Sequence, residues 1–205
     1  MPYYEYHMEG KPYNRRSIRI EGFDYSQGGA YFVTICAWKR SCIFCKAAEG
    51  GLVLLKTGKI VAEEWLNTAV IRPYVTLDEF TVMPNHFHGI LWLLRDEQGT
   101  ARRAPTMERF GKPVKGSLPT IIGAFKAAVT RRINALRNSG KGEVWQRGYY
   151  EHVIRDDASL NRIREYIINN PCSWELDREN TQRVGDNEFY QWLASFKDRP
   201  PWPIK

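Results

Sequence analysis

Two strand-like runs on either side of a Pro-Asn step constrain the fold of this chain more than any other feature. "YVTLDEFTVMP", Tyr74 to Pro84, alternates apolar and polar residues, and "HFHGILWLL", His86 to Leu94, is a second, more apolar run. Pro84-Asn85 is a tight-turn signal, so the two read as an antiparallel hairpin. The second run also poses a chemical question, because it carries two histidines one residue apart in a segment otherwise suited to burial.

The remaining elements fall in order around the hairpin. "AYFVTICAW" (Ala30 to Trp38) is β-branched and aromatic and reads as a strand, and "GLVLLKT" (Gly51 to Thr57) as a shorter one. Gly58 to Ile71 places Ile60, Val61, Trp65, Leu66 and Val70 on one helical face and is closed by Pro73. A second helix, Ser117 to Asn138, has Ser117 as its N-cap and apolar spacing through Ile122, Phe125, Val129, Ile133 and Leu136. "EVWQRGYYEHVIRD" (Glu143 to Asp156) is the fourth main strand. A third helix, Asp157 to Asn170, takes Asp157 as its N-cap and stops at Pro171. Setting the short extra strand aside, the order is β-α-β-β-α-β-α. That predicts an α+β, ferredoxin-like βαββαβ antiparallel sheet with two helices on one face and an added helix across the other face or along an edge. The expected division is a domain over 1–172, with an N-terminal extension (1–28) and a basic loop (96–117). A tail with a short helix, Asn187 to Phe196, then occupies 173–205.

Composition narrows the partners. Lys and Arg outnumber Asp and Glu by 30 to 23, a net charge of +7 that favours a polyanionic partner. The N-terminus lacks the apolar core of a secretory signal and no run approaches a membrane span, so a cytoplasmic protein with no membrane partner is expected. Its four cysteines then read as reduced thiols. Cys42 and Cys45 resemble half a zinc site, without a second pair at finger-like spacing.

On a strand His86 and His88 point the same way and Phe87 the opposite way. Two imidazoles so placed can share a metal ion, or they can be core histidines bonded to backbone. On the third helix Tyr166 and Asn170 stand four residues apart, beside the apolar stripe Leu160, Ile163 and Ile167. The amide is a candidate third ligand and the phenol a candidate nucleophile; the alternative is a packed ring and a helix-end cap. His152 is a candidate fourth ligand or proton relay, or a plain strand residue. Candidate phosphate contacts are Arg15, Arg16 and Arg19; Arg102, Arg103, Arg109, Lys112 and Lys115; Lys126, Arg131 and Arg132; and Arg147 and Arg155. Trp145, Tyr149 and Tyr150 are candidates for base stacking or for core.

Taken in order, "YFVTICAW", "VMPNHFHGIL", "VWQRGYYEHVIRD" and "LNRIREYIINNP" resemble the IS200-type tyrosine transposases, and more closely their REP-associated branch, over roughly residues 15–180. His86-Phe87-His88 matches the motif that names the HUH endonucleases. The resemblance implies that Tyr166 attacks single-stranded DNA to form a 5′-phosphotyrosine. It implies His86, His88 and Asn170 as ligands of Mg²⁺ or Mn²⁺, with Asn170 where the wider group has Gln. It implies hairpin-forming REP-like palindromes with an adjacent tetranucleotide as partner, a monomer rather than a homodimer, and a place at the nucleoid. The competing expectations are a non-catalytic, RRM-like module for single-stranded nucleic acid and a structural zinc protein.

Overall fold

The structure, a computed structural model, describes residues 23–49, 51–94, 114–138, 142–185 and 187–195. Arg15, Arg16, Arg19, Arg102, Arg103, Arg109 and Lys112 lie outside the described residues. The elements are β1 (Gly29–Cys36), β2 (Cys45–Ala48), β3 (Gly51–Leu54), α1 (Lys56–Val70), β4 (Val75–Val82) and β5 (His86–Leu93). They continue with α2 (Leu118–Leu136), β6 (Tyr150–Ile154), α3 (Asp157–Asn169) and α4 (Glu188–Ala194). Short 3₁₀ turns cover Trp38–Arg40 and Asn170–Leu176.

The hairpin forms as expected: β4 and β5 pair antiparallel through the Pro84-Asn85 turn. β5 also pairs antiparallel with β1, and β1 with β6, giving a four-stranded sheet in the order β4-β5-β1-β6. This is the ferredoxin-like order. The run read as one short strand is half of a separate β2-β3 ribbon.

Strand alternation sorts the sheet into two chemically different faces. Phe87 and Leu91 of β5, with Val33 and Ile35 of β1, join the larger core formed with α1 and α2. Phe32, Ile90 and Ile154 face the other way, under Leu160, Ile163, Ile167, Phe189 and Leu193 of α3 and α4. The added helix therefore lies across the second face. His86 and His88 alternate with Phe87 and so share that face.

Local chemistry sets the element ends, with several departures from expectation. The N-cap of α3 is Asp156, one residue before Asp157, because its carboxylate accepts from the Ser159 backbone N–H at 2.7 Å. Ser117 does precede α2, though without a side-chain cap bond. Leu66 and Val70 of α1 and Leu136 of α2 are exposed, so the buried stripe of each helix is narrower than the sequence spacing implied. The last strand is confined to Tyr150–Ile154, with Trp145 making only an isolated bridge to Ala37. Among the described residues no helix is long and apolar enough to cross a membrane.

Candidate active site

The site is built on β5 and completed by α3 and the segment after it. His86 and His88 are fully buried, at 0% exposure each. Asn85, in the hairpin turn, donates from Nδ2 to the Glu179 carbonyl (2.7 Å) and to the Arg40 carbonyl (3.3 Å). Those bonds turn its Oδ1 toward His86 Nδ1, 2.8 Å away. An amide oxygen only accepts, so His86 carries its proton on Nδ1 and its lone pair on Nε2. His88 Nδ1 meets Thr34 Oγ1, its cross-strand partner, at 2.9 Å. The two Nε2 atoms face each other at 2.9 Å.

Asp177 supplies the third corner. Its Oδ2 lies 3.7 Å from His86 Nε2 and 3.9 Å from His88 Nε2, and its Oδ1 accepts from the Glu179 backbone N–H at 2.7 Å. Among the described residues this buried His-His-Asp group is the one whose ligand atoms all lie within 4.8 Å of one another. Burial, and then the neighbouring His88, push the His86 pKa well below its ordinary value, so the imidazole is neutral. Burial alone would raise the Asp177 carboxyl, but the two imidazoles and the Glu179 backbone N–H hold it below the usual range and ionised. Two nitrogen lone pairs and one carboxylate form a donor set that can hold a divalent ion. Nitrogens bound side by side at roughly 2.1 Å stand about 3 Å apart, matching the Nε2 pair.

Tyr166 reaches this cluster from α3. Its hydroxyl lies 3.1 Å from His88 Nε2, 3.1 Å from Asp177 Oδ2 and 2.5 Å from Tyr190 Oη. Its ring stacks on Phe189 at 3.7 Å between centroids. Burial first, then Tyr190 and Asp177, push its pKa far up, so it rests as a phenol. Tyr166 and Asn170 are both buried, at 7% and 2% exposure. Neither Oδ1 nor Nδ2 of Asn170 has a hydrogen-bond partner. A buried amide left in that state costs free energy, so Asn170 is chemically free to take a ligand.

Other expected contributors lie elsewhere. His152 shares the sheet face but packs near the Trp192 ring, 6.3 Å between centroids, and is not in the cluster. Lys126 points its ammonium at the carbonyls of Gln146 (2.7 Å) and Gly148 (2.6 Å). Arg132 is bound to Glu63 and Glu64. Arg131 and Arg147 are exposed and Arg155 is half-buried. Trp145 belongs to the core, with Tyr149 and Tyr150 packed against its two halves. Cys42 and Cys45 stand apart from the histidines, and Cys45 donates to the Val82 carbonyl. Asp177, Asn85, Thr34 and Tyr190 were not singled out in the sequence. Asn85 could have been found as the polar residue abutting the histidine pair.

Comparisons with known proteins bear on the fold and on sequence relatives. No family model matches the chain. An uncharacterized protein of Haemophilus influenzae is 40% identical over 169 residues, spanning 81% of this chain and 93% of that protein. A second protein of that organism, provisionally named a REP-associated tyrosine transposase, is 26% identical over 149 residues, spanning 72% of this chain and 73% of its own length. The fold matches a REP-associated tyrosine transposase solved with a REP hairpin bound, with a TM-score of 0.51 at 16% identity over 91% of this chain and 90% of that one. The chain thus has the fold of that solved REP-associated tyrosine transposase, and it is similar in sequence to both Haemophilus influenzae proteins.

Proposed function

We propose that this chain is a metal-dependent single-stranded DNA endonuclease and strand transferase that acts on hairpin-forming, REP-like palindromes beside a short single-stranded tetranucleotide. The observation that carries the reading is the Tyr166 hydroxyl, held 3.1 Å from both His88 Nε2 and Asp177 Oδ2. Support for the DNA partner comes from the hairpin bound to the solved relative and from the net charge of +7.

His86 and His88 would hold the ion through Nε2, with Asn170 as the proposed neutral oxygen ligand, while Asp177 Oδ2 stays on the Tyr166 hydroxyl. A bound Mg²⁺ or Mn²⁺ would polarise the scissile phosphate, and imidazole donors favour Mn²⁺ of the two. Tyr166 Oη attacks phosphorus in line; the new bond joins Oη to phosphorus and the P–O3′ bond breaks. The products are a 5′-phosphotyrosine and a free 3′-OH. The phenol proton passes to Asp177 Oδ2, an acceptor in place before the attack. Attack by a second 3′-OH reverses the step and rejoins strands, with the phosphodiester energy retained in the adduct. The enzyme acts as a cytoplasmic, nucleoid-associated monomer.

An open, RRM-like binding sheet is the weaker reading, because Phe32, His88 and Ile90 on the relevant face are fully buried. The test incubates labelled hairpin oligonucleotides carrying a flanking tetranucleotide with Mn²⁺ or EDTA and resolves the products on denaturing gels. Wild-type protein forms a covalent adduct only with the ion present. Tyr166→Phe forms none and binds the hairpin within about threefold of wild type. An adduct from the Phe variant, or cleavage indifferent to EDTA, sinks the proposal.

A further inference from the structure

Arg164, two residues before Tyr166, makes a side-on fork with Asp78 of β4: Nε to Oδ1 at 2.8 Å and Nη2 to Oδ2 at 2.6 Å. Trp92 of β5 donates its indole N–H to Oδ2 at 3.0 Å, and the Glu79 backbone N–H donates to Oδ1 at 2.8 Å. Both carboxylate oxygens are thus doubly bonded, and the Asp78 side chain is only 11% exposed. Arg164 Nη1 also reaches back to Asn161 Oδ1 at 3.2 Å. The β4 register shifts between Leu77 and Phe80, so Asp78 stands in a bulge. Bulges re-aim side chains next to functional sites.

The pairs Arg40–Glu179 and Arg132–Glu63/Glu64 do not touch α3. Besides the contacts of Tyr166 itself, α3 rests on the sheet through its apolar stripe Leu160, Ile163 and Ile167. Apolar burial is non-directional: it fixes how close the helix lies and tolerates small rotations and slides. A planar fork on a fixed carboxylate does not. One residue of slip moves a helix by about 1.5 Å and turns it by roughly 100°, enough to take the Tyr166 hydroxyl out of hydrogen-bond reach of the cluster.

We infer that Asp78 and Arg164 are positioning residues, whose bidentate pair sets the rotation and axial register of α3 and so places the Tyr166 hydroxyl against His86, His88 and Asp177. The role rests on Tyr166 being the nucleophile.

The test compares Arg164→Lys, Asp78→Asn and the exchanged pair Asp78→Arg/Arg164→Asp with wild type in the full chain. Arg164→Lys keeps the charge and loses the fork. Single-turnover adduct formation on a hairpin oligonucleotide falls about tenfold to a hundredfold in both single variants, the scale expected of a sub-ångström to one-ångström misplacement. Hairpin and Mn²⁺ dissociation constants stay within twofold, and the exchanged pair recovers part of the rate. Each protein is also made with 3-fluorotyrosine and its Tyr166 ¹⁹F signal assigned by Tyr166→Phe. In the single variants that signal shifts or broadens, and in the exchanged pair it returns toward wild type. Wild-type rates in the single variants, or losses matching only the fraction unfolded by thermal melt, overturn the inference. If wild-type protein forms no adduct, the proposed activity fails, and the ¹⁹F signal alone decides the clamp: unchanged in Arg164→Lys, it refutes it.

Discussion

Asn85 illustrates how one side chain fixes the chemistry of another. It joins the Arg40 turn, the Glu179 segment and His86, and its oxygen determines which imidazole nitrogen is left free. Replacing the partner of a ligating histidine typically lowers metal affinity 10–100-fold. Asn85→Leu is therefore expected to weaken Mn²⁺ binding by about that factor in isothermal titration calorimetry, and Asn85→Asp also loses affinity, because its second oxygen would face the Glu179 and Arg40 carbonyls. His152 makes a different prediction. Burial, then the charge of Arg155, lower its pKa to about 4, against a partial opposing pull from Asp156. An unfolded histidine titrates near ~6.5, so between the two values the unfolded chain binds more protons than the folded one. Stability is therefore complete above pH 6.5 and declines as pH falls toward 4, by about 3 kcal/mol in all. In His152→Gln, urea-unfolding free energies measured across that interval should fall by correspondingly less.

At the level of elements, β5 carries a tight packing constraint. A Cβ on Gly89 would stand 2.8 Å from both the Phe87 ring and the Trp65 ring. The missing side chain lets α1 press its buried tryptophan onto the strand that bears the histidines. Gly89→Ala should cost roughly 1–3 kcal/mol through overpacking, seen as a lower urea midpoint with an unchanged slope. The same element shows why much of the fold could be read in advance. The alternation of β5 and the stripe Leu160, Ile163, Ile167 are local periodic signals, and they place the histidine pair and Tyr166 on facing surfaces. Leu66 and Val70 were misjudged because periodicity gives the direction of a side chain and not how far the neighbouring layer extends over it. Asp177 left no trace of that kind. It follows a 3₁₀ turn in an aperiodic segment, eleven residues beyond Tyr166, and joins the cluster through tertiary folding alone. Tyr190 was visible only as one aromatic residue of a tail.

For the molecule as a whole, the proposed monomer takes the phenol, both imidazoles and the carboxylate from one polypeptide. Mixing inactive Tyr166→Phe protein with inactive His88→Ala protein should therefore restore no adduct formation on denaturing gels, and sedimentation should give a single species near 23.9 kDa. Recovery of activity in the mixture would mean that α3 is exchanged between copies.

The two-faced alternation of β5 has a last consequence. Because Phe87 is rooted in the apolar interior between the histidines, sliding this strand by a single position would expel the ring into the reaction centre and drive the imidazoles into oil. Both faces of β5 therefore disfavour a slipped register at once, and the cluster of His86, His88 and Asp177 forms only in the register seen.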